Sequence, residues 1–219
     1  MIFVNFKTYK EGSGENALYL VKVIEEVASK MQIKIIPVVQ AADVKEVVSI
    51  SKLEIWTQHI DPIEYGAHTG AIIPEAVYED GASGTFLNHS ERRFKDFSDL
   101  ELANNRAKKV GLRTLIFTKD LRELDKVLEL KPDYVSYEPP ELVGSLTTSV
   151  AREKPEVISK AVEISKQKGI PLIVGAGIKD TNDVRVSLSL GASGIAVASD
   201  IVKAENPGRE LQDLVEGFL

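Results

Sequence analysis

A single (β/α)8 barrel, an α/β fold with short helices and loops, is the class that this 219-residue chain predicts. Short apolar runs alternate with helical patterns from end to end, and neither a linker nor a low-complexity stretch interrupts them. That is the pattern of one parallel α/β domain, here residues 1–219. The length lies near the short end for such a barrel, so trimmed helices and loops are expected. No GxGxxG turn follows the first strand, where an open dinucleotide-binding sheet would usually carry one. Periodicity alone does not separate a closed barrel from an open doubly wound sheet, but a count of eight strands favours closure.

The first strand is Ile2–Asn5, followed by a helix over 16–30 whose Ala17, Leu20, Val21, Ile24, Val27 and Ala28 keep one apolar stripe. Residues 33–39 form the second strand, interrupted by Pro37 near its end, and Asp43 is placed to cap a short helix through Ile50. The third strand is 54–58 and the fourth Gly84–Leu87. A helix over 98–110 begins with a capping-box pattern, Ser98 with Glu101 three residues on, and closes at Gly111. Strands at Arg113–Thr118, 133–137, 171–175 and 194–198 complete the set, with helices at 121–130, 155–168, 182–190 and 207–218. Residues 65–80 are the long stretch with little element signal, and long loops of this kind in compact domains are usually functional.

Composition narrows the function classes. The chain is 43% hydrophobic, enough for a sizeable core, and 27% charged, near the average. A net charge of −6 argues against a nucleic-acid surface, and an anionic substrate has to be drawn by a local positive field. With no cysteine there are no disulfides and no thiolate chemistry, which fits a cytoplasmic location. Strand-like sequence begins at Ile2, so no cleaved leader is expected, and no apolar run is long enough to predict a membrane span.

Three strand ends carry the chemistry. The run Val135-Ser136-Tyr137-Glu138-Pro139-Pro140 places a carboxylate where a buried strand stops, because proline lacks an N–H and fixes φ. A carboxylate at such a place is a candidate base. Lys7 follows the end of the first strand in Asn5-Phe6-Lys7, and His89 follows the fourth in Asn88-His89-Ser90-Glu91-Arg92-Arg93. In a closed barrel, Lys7, His89 and Glu138 converge on one face, the usual layout of a barrel active site. A phosphate site is expected at the other side of that face. The strands ending Gly175-Ala176-Gly177 and Ala196-Val197-Ala198-Ser199 finish in small residues, which let backbone N–H groups approach an anion. A helix starting near Ser199 adds its positive end, whereas Asp200 would repel a phosphate unless it points away.

In Asn5-Phe6-Lys7, His89-Ser90-Glu91-Arg92-Arg93, Tyr137-Glu138-Pro139 and Tyr65-Gly66-Ala67-His68-Thr69-Gly70, in that setting, the chain resembles the triosephosphate isomerases. In its shortness it resembles their compact archaeal branch. The resemblance runs through nearly the whole chain and implies interconversion of glyceraldehyde 3-phosphate and dihydroxyacetone phosphate through an enediolate, in glycolysis and gluconeogenesis. It implies Glu138 as the base, His89 as a neutral electrophile and Lys7 as the stabiliser of negative charge, with Asn5 orienting the pocket and Ser90-Glu91 starting the helix turn that keeps His89 neutral. The phosphate contacts map to Val143 and Gly144 in a lid over 139–149, to Gly177, and to Ala198 and Ser199. A serine is usual in the family where Gly177 stands, a glycine pair where Ala198-Ser199 stands, and a glycine near Leu146; the compact branch shares the first two departures. No metal or cofactor is implied. The resemblance further implies a homo-oligomer, a tetramer built as a dimer of dimers in preference to a dimer, with the 65–70 loop reaching into a neighbouring subunit and Thr69 at its tip.

Two rivals have different signatures. A phosphosugar lyase or aldolase on the same fold needs a Schiff-base lysine inside a mid-barrel strand, and the expected strands 5 to 7 contain none. A non-catalytic phosphate-binding barrel has no need of the Lys7, His89 and Glu138 set.

Overall fold

The computed structural model describes residues 1–138, 155–175 and 177–219. Eight strands run in parallel and close in sequence order: β1 (Ile2–Asn5), β2 (Ile35–Val39), β3 (Trp56–Thr57), β4 (Gly84–Leu87), β5 (Arg113–Thr118), β6 (Tyr134–Tyr137), β7 (Leu172–Val174) and β8 (Gly194–Val197). The seam is closed by β1 against β8, with Ile2 opposite Ile195 and Val4 opposite Val197. The closed barrel is therefore the fold, and the open sheet is excluded.

Strand sequences follow from burial on both faces. Ile2 and Val4 point outward into the cluster beneath the helices, while Phe3 points inward with Ile36, Trp56, Phe86, Leu115, Tyr134 and Ile173. Both faces are covered, so the strands are mostly apolar, and the polar residues they carry, such as Thr57, Thr85, Thr114 and Ser136, are themselves buried. The interior is an aromatic plug. Phe3 meets Trp56 edge-on at 5.0 Å and Tyr134 at 5.6 Å, and Phe86 meets Phe117 at 4.8 Å. Gly84 makes room for it, since a Cβ there would lie 2.3 Å from the Trp56 ring. Gly84→Ala is expected to destabilise the fold by about 1–3 kcal/mol or more through overpacking. Urea unfolding measures this, and a midpoint equal to the parent's would show that the ring has space to yield.

The helices between the strands are α1 (Glu15–Met31), α2 (Val44–Ile50), α3 (Pro74–Glu79), α4 (Phe97–Val110), α5 (Leu121–Leu128), α6 (Pro155–Gln167), α7 (Thr181–Ser189), α8 (Ser199–Val202) and α9 (Pro207–Val215) among the described residues. The predicted stripe of α1 is its buried face, Ala17 through Ala28. This helix ends at Gln32, whose left-handed backbone (φ 51°) returns its N–H to the Ala28 carbonyl. The Ile33 N–H returns to the same carbonyl at 3.3 Å, so the first residue assigned from sequence to the second strand belongs to the helix exit, and β2 starts at Ile35.

Several local expectations are corrected. Helix α4 starts at Phe97 after an extended Asp96, so Ser98 lies inside the first turn and the Ser98–Glu101 box does not form the cap. Asp43 does not cap α2; its carboxylate accepts from the Gly14 N–H at 3.2 Å and Gln40 Nε2 at 3.4 Å. Among the described residues, the side-chain caps that do form are Asp120 to the Glu123 N–H, Asp180 to the Asp183 N–H and Asn206 to the Arg209 N–H. Residues 65–80 are not wholly irregular, because α3 starts there with proline at its first position. The loop before α3 is tied at its ends. Asp61 exchanges bonds with Ile72 at 2.7 and 2.8 Å, and buried Arg106 pairs with Glu64 at 3.0 Å and Glu75 at 2.7 Å.

Candidate active site

Asn5, Lys7, His89, Glu138, Gly177, Ala198 and Ser199 line one cleft of about 600 Å³ at the C-terminal ends of the strands. Closure accounts for the gathering, since every strand delivers its last residues to the same end. Val143, Gly144 and Leu146, with the rest of the expected lid, lie outside the described residues.

Lys7 is held in a conformation that non-glycine residues rarely adopt, φ 46°. Its N–H donates to Asn5 Oδ1 at 3.0 Å and its carbonyl accepts from Gln58 Nε2 at 2.8 Å. Two amide side chains, Asn5 buried and Gln58 partly so, thus brace a backbone that would otherwise relax, and the Lys7 ammonium meets Glu91 Oε1 at 2.8 Å.

His89 follows β4 and Asn88, itself left-handed at φ 59°. The Asn88 side chain donates to the Phe117 carbonyl at 3.0 Å and accepts from the Phe94 N–H at 3.3 Å, which fixes the chain on either side of the imidazole. The ring packs edge-on against Phe117 at 4.8 Å and is only 7% exposed. Nδ1 accepts from the Glu91 N–H at 3.2 Å, so in the neutral ring Nε2 carries the proton. The expected helix start at Ser90-Glu91 is corrected. Residues 89–92 make a turn closed by the Arg92 N–H on the His89 carbonyl at 2.8 Å, and α4 begins only at Phe97. Burial lowers the His89 pKa and outweighs the carboxylates of Glu138 and Glu91, which act to raise it, while the Lys7 cation adds to the lowering.

Glu138 leaves β6 with its N–H on the Thr118 carbonyl at 2.9 Å, and it is 8% exposed. Its Oε2 accepts from Ser90 Oγ at 3.0 Å and lies 3.7 Å from His89 Nε2. Gly175 leaves space for this carboxylate, since a Cβ there would come within 3.1 Å of Glu138 Oε1. Opposite, Gly177 adopts φ 76°, which glycine takes without strain, and α8 starts at Ser199 as the small-residue pattern predicts. Asp200 also lines the cleft, with Lys179 Nζ 4.0 Å from its carboxylate.

Sequence reasoning did not single out Gln58 as a support of the site, and it gave Ser90 only a backbone role. Gln58 ends the expected third strand, so the strand-end position shared with Asn5, His89 and Glu138 was the signal available. Among the described residues, no three His, Asp or Glu side chains are grouped to hold a metal ion, and no helix is long and apolar enough to cross a membrane.

The fold and cleft define a class, a (β/α)8-barrel protein with its chemistry-bearing side chains at the C-terminal rim. A family model described as triosephosphate isomerase matches residues 1–217. Proteins of that name from three archaea are similar along the whole chain. That of Metallosphaera sedula is 41% identical, covering 100% of this chain and 96% of its own. For Saccharolobus solfataricus the identity is 40%, with the same coverage, and for Methanocaldococcus jannaschii it is 37%, over 99% of each chain. The crystal structure of triosephosphate isomerase from Bartonella henselae superposes with a TM-score of 0.78 at 19% identity, covering 99% of this chain and 98% of that one, and so shares the fold. The chain belongs to the triosephosphate isomerase family, and it is an isomerase.

Proposed function

We propose that the chain interconverts glyceraldehyde 3-phosphate and dihydroxyacetone phosphate through an enediolate, as a cytoplasmic step of glycolysis and gluconeogenesis. The observation that carries this reading is the meeting of Lys7, His89 and Glu138 on one cleft, with His89 Nε2 3.7 Å from the Glu138 carboxylate. Moving a hydrogen between adjacent carbons needs a base for the carbon acid, a donor for the carbonyl oxygen and positive charge near the developing oxyanion. Glu138 is the base, delivered rigidly by β6 and held at one oxygen by Ser90. His89, neutral with its proton on Nε2, donates to the carbonyl oxygen. Lys7 places an ammonium beside both, and Asn5 keeps its backbone in register.

The substrate's phosphate sits against Gly177, Ala198 and Ser199; Val143 and Gly144, the other contacts that the resemblance implies, lie outside the described residues. Main-chain N–H groups bind an anion without a specific side chain, so glycine and alanine serve where larger residues are common. A lysine forming a Schiff base is not supplied by β5, β6 or β7, whose sequences contain none. The test is an isomerisation assay without added metal or cofactor, followed by borohydride treatment. Turnover with no trapped adduct supports the enediolate route, and a reduced covalent adduct would replace it with the Schiff-base route.

The same reading includes a homotetramer arranged as a dimer of dimers. The 65–70 loop, with Tyr65 68% exposed, reaches a neighbouring subunit beside the Asn5 and Lys7 strand end, and Thr69 forms its tip. A trimmed barrel exposes more surface for its core, and association offsets this. Replacing residues 67–69 by a short glycine linker is expected to give dissociated protein of much reduced activity, followed by light scattering at micromolar concentration. A fully active monomer would remove the oligomer from the proposal.

A further inference from the structure

The cleft contains a carboxylate that isomerisation chemistry does not use. Asp200 stands in the first turn of α8, next to Ser199, and its side chain is 44% exposed on the cleft that would receive the phosphate. Its cationic neighbour is Lys179, with Nζ 4.0 Å from Oδ1. Lys179 lies two residues beyond Gly177, on the opposite arm of the cradle. That arm is anchored, because the Lys179 N–H donates to Oδ2 of fully buried Asp183 at 3.0 Å.

We propose that Asp200 and Lys179 are specificity-determining residues that set this chain's affinity for the phosphate dianion, the carboxylate weakening it and the ammonium partly restoring it. The inference rests on the placement of the substrate's phosphate at Gly177, Ala198 and Ser199. Two effects compete in the pair. As a clamp, it would draw the two arms together and aid binding. A pair this long between partly exposed groups contributes little order, however, and solvent screens its attraction. As a charge, Asp200 lines the same cleft as Gly177, Ala198 and Ser199, where it repels a dianion at each binding event. The charge effect therefore wins, and its removal tightens binding.

The test uses inorganic phosphate as the probe. Its Ki against substrate isomerisation is measured for the parent, Asp200→Asn, Lys179→Met and the double variant, with circular dichroism to confirm folding. Asp200→Asn is expected to lower the Ki for phosphate about 3- to 10-fold, the range a single unit charge near the site produces in a largely aqueous dielectric. The substrate KM is expected to fall in the same direction, with the change carried by KM more than by kcat. Lys179→Met raises both constants, and the double variant returns towards the parent. Because the effect is Coulombic, the difference between parent and Asp200→Asn shrinks as salt rises, which a purely structural change would not show. An unchanged or raised phosphate Ki in folded Asp200→Asn overturns the proposal while leaving the phosphate placement intact. Failure of phosphate to compete with substrate in the parent protein would instead remove the placement, and this proposal with it.

Discussion

Glu138→Gln is expected to lower kcat by at least about 10²–10⁴-fold, the scale on which a positioned base acts. The substitution is close to isosteric and keeps what holds the side chain. The backbone N–H on the Thr118 carbonyl is untouched, and the amide oxygen still accepts from Ser90 Oγ. Packing against Gly175, which has no side chain to clash, is likewise preserved. What disappears is the ability to take a proton from carbon. Steady-state kinetics in both directions, with a thermal melt to show an intact barrel, measure the effect. A folded Glu138→Gln with near-parental turnover would take the base assignment away from this residue.

His89→Asn is expected to lower kcat about 10²–10³-fold, the loss seen when one preorganised donor to an oxyanion is removed. The shorter amide still fits beneath Phe117 but does not extend to the position of Nε2. The sign of the pH dependence follows from burial. The His89 pKa is lowered from its ordinary value of 6.5, chiefly by desolvation, so the ring stays neutral as pH falls through that value and gains its proton only below it. The imidazole Cε1 proton followed by NMR should therefore show an inflection below pH 6.5, and kcat should have no His-dependent loss near neutrality. An inflection above 6.5 would mean that the carboxylates of Glu138 and Glu91 outweigh desolvation and that the ring works as a cation.

The legible parts of the fold share a cause. β1, β4 and β5 have the boundaries their sequences predict, because runs buried on both faces end where the first residue that must leave the barrel appears. Lys7, His89 and Glu138 come to line one cleft for the same reason, each lying just past or at the end of such a run. Caps were read less well. Ser98 matched the capping pattern, yet the helix begins at Phe97, while Asp120, Asp180 and Asn206 form side-chain caps that no spacing rule had singled out. Which polar residue caps a helix depends on how the chain enters it, and packing on the barrel decides that entry.

The sequence by itself determined that there are eight strands, their order, and which residues bear charge at the rim. Strand identity depends on apolar runs a few residues long, and order is the chain itself. Only the tertiary structure decided the contacts that give those residues their geometry. Gln58 bracing the Lys7 carbonyl spans 51 positions, Ser90 holding Glu138 spans 48, and Lys179 faces Asp200 from the neighbouring loop. Nothing in either local segment encodes such a pairing. It arises because closing eight parallel strands brings every C-terminal end within side-chain reach of its neighbours, and that closure is a property of the whole chain.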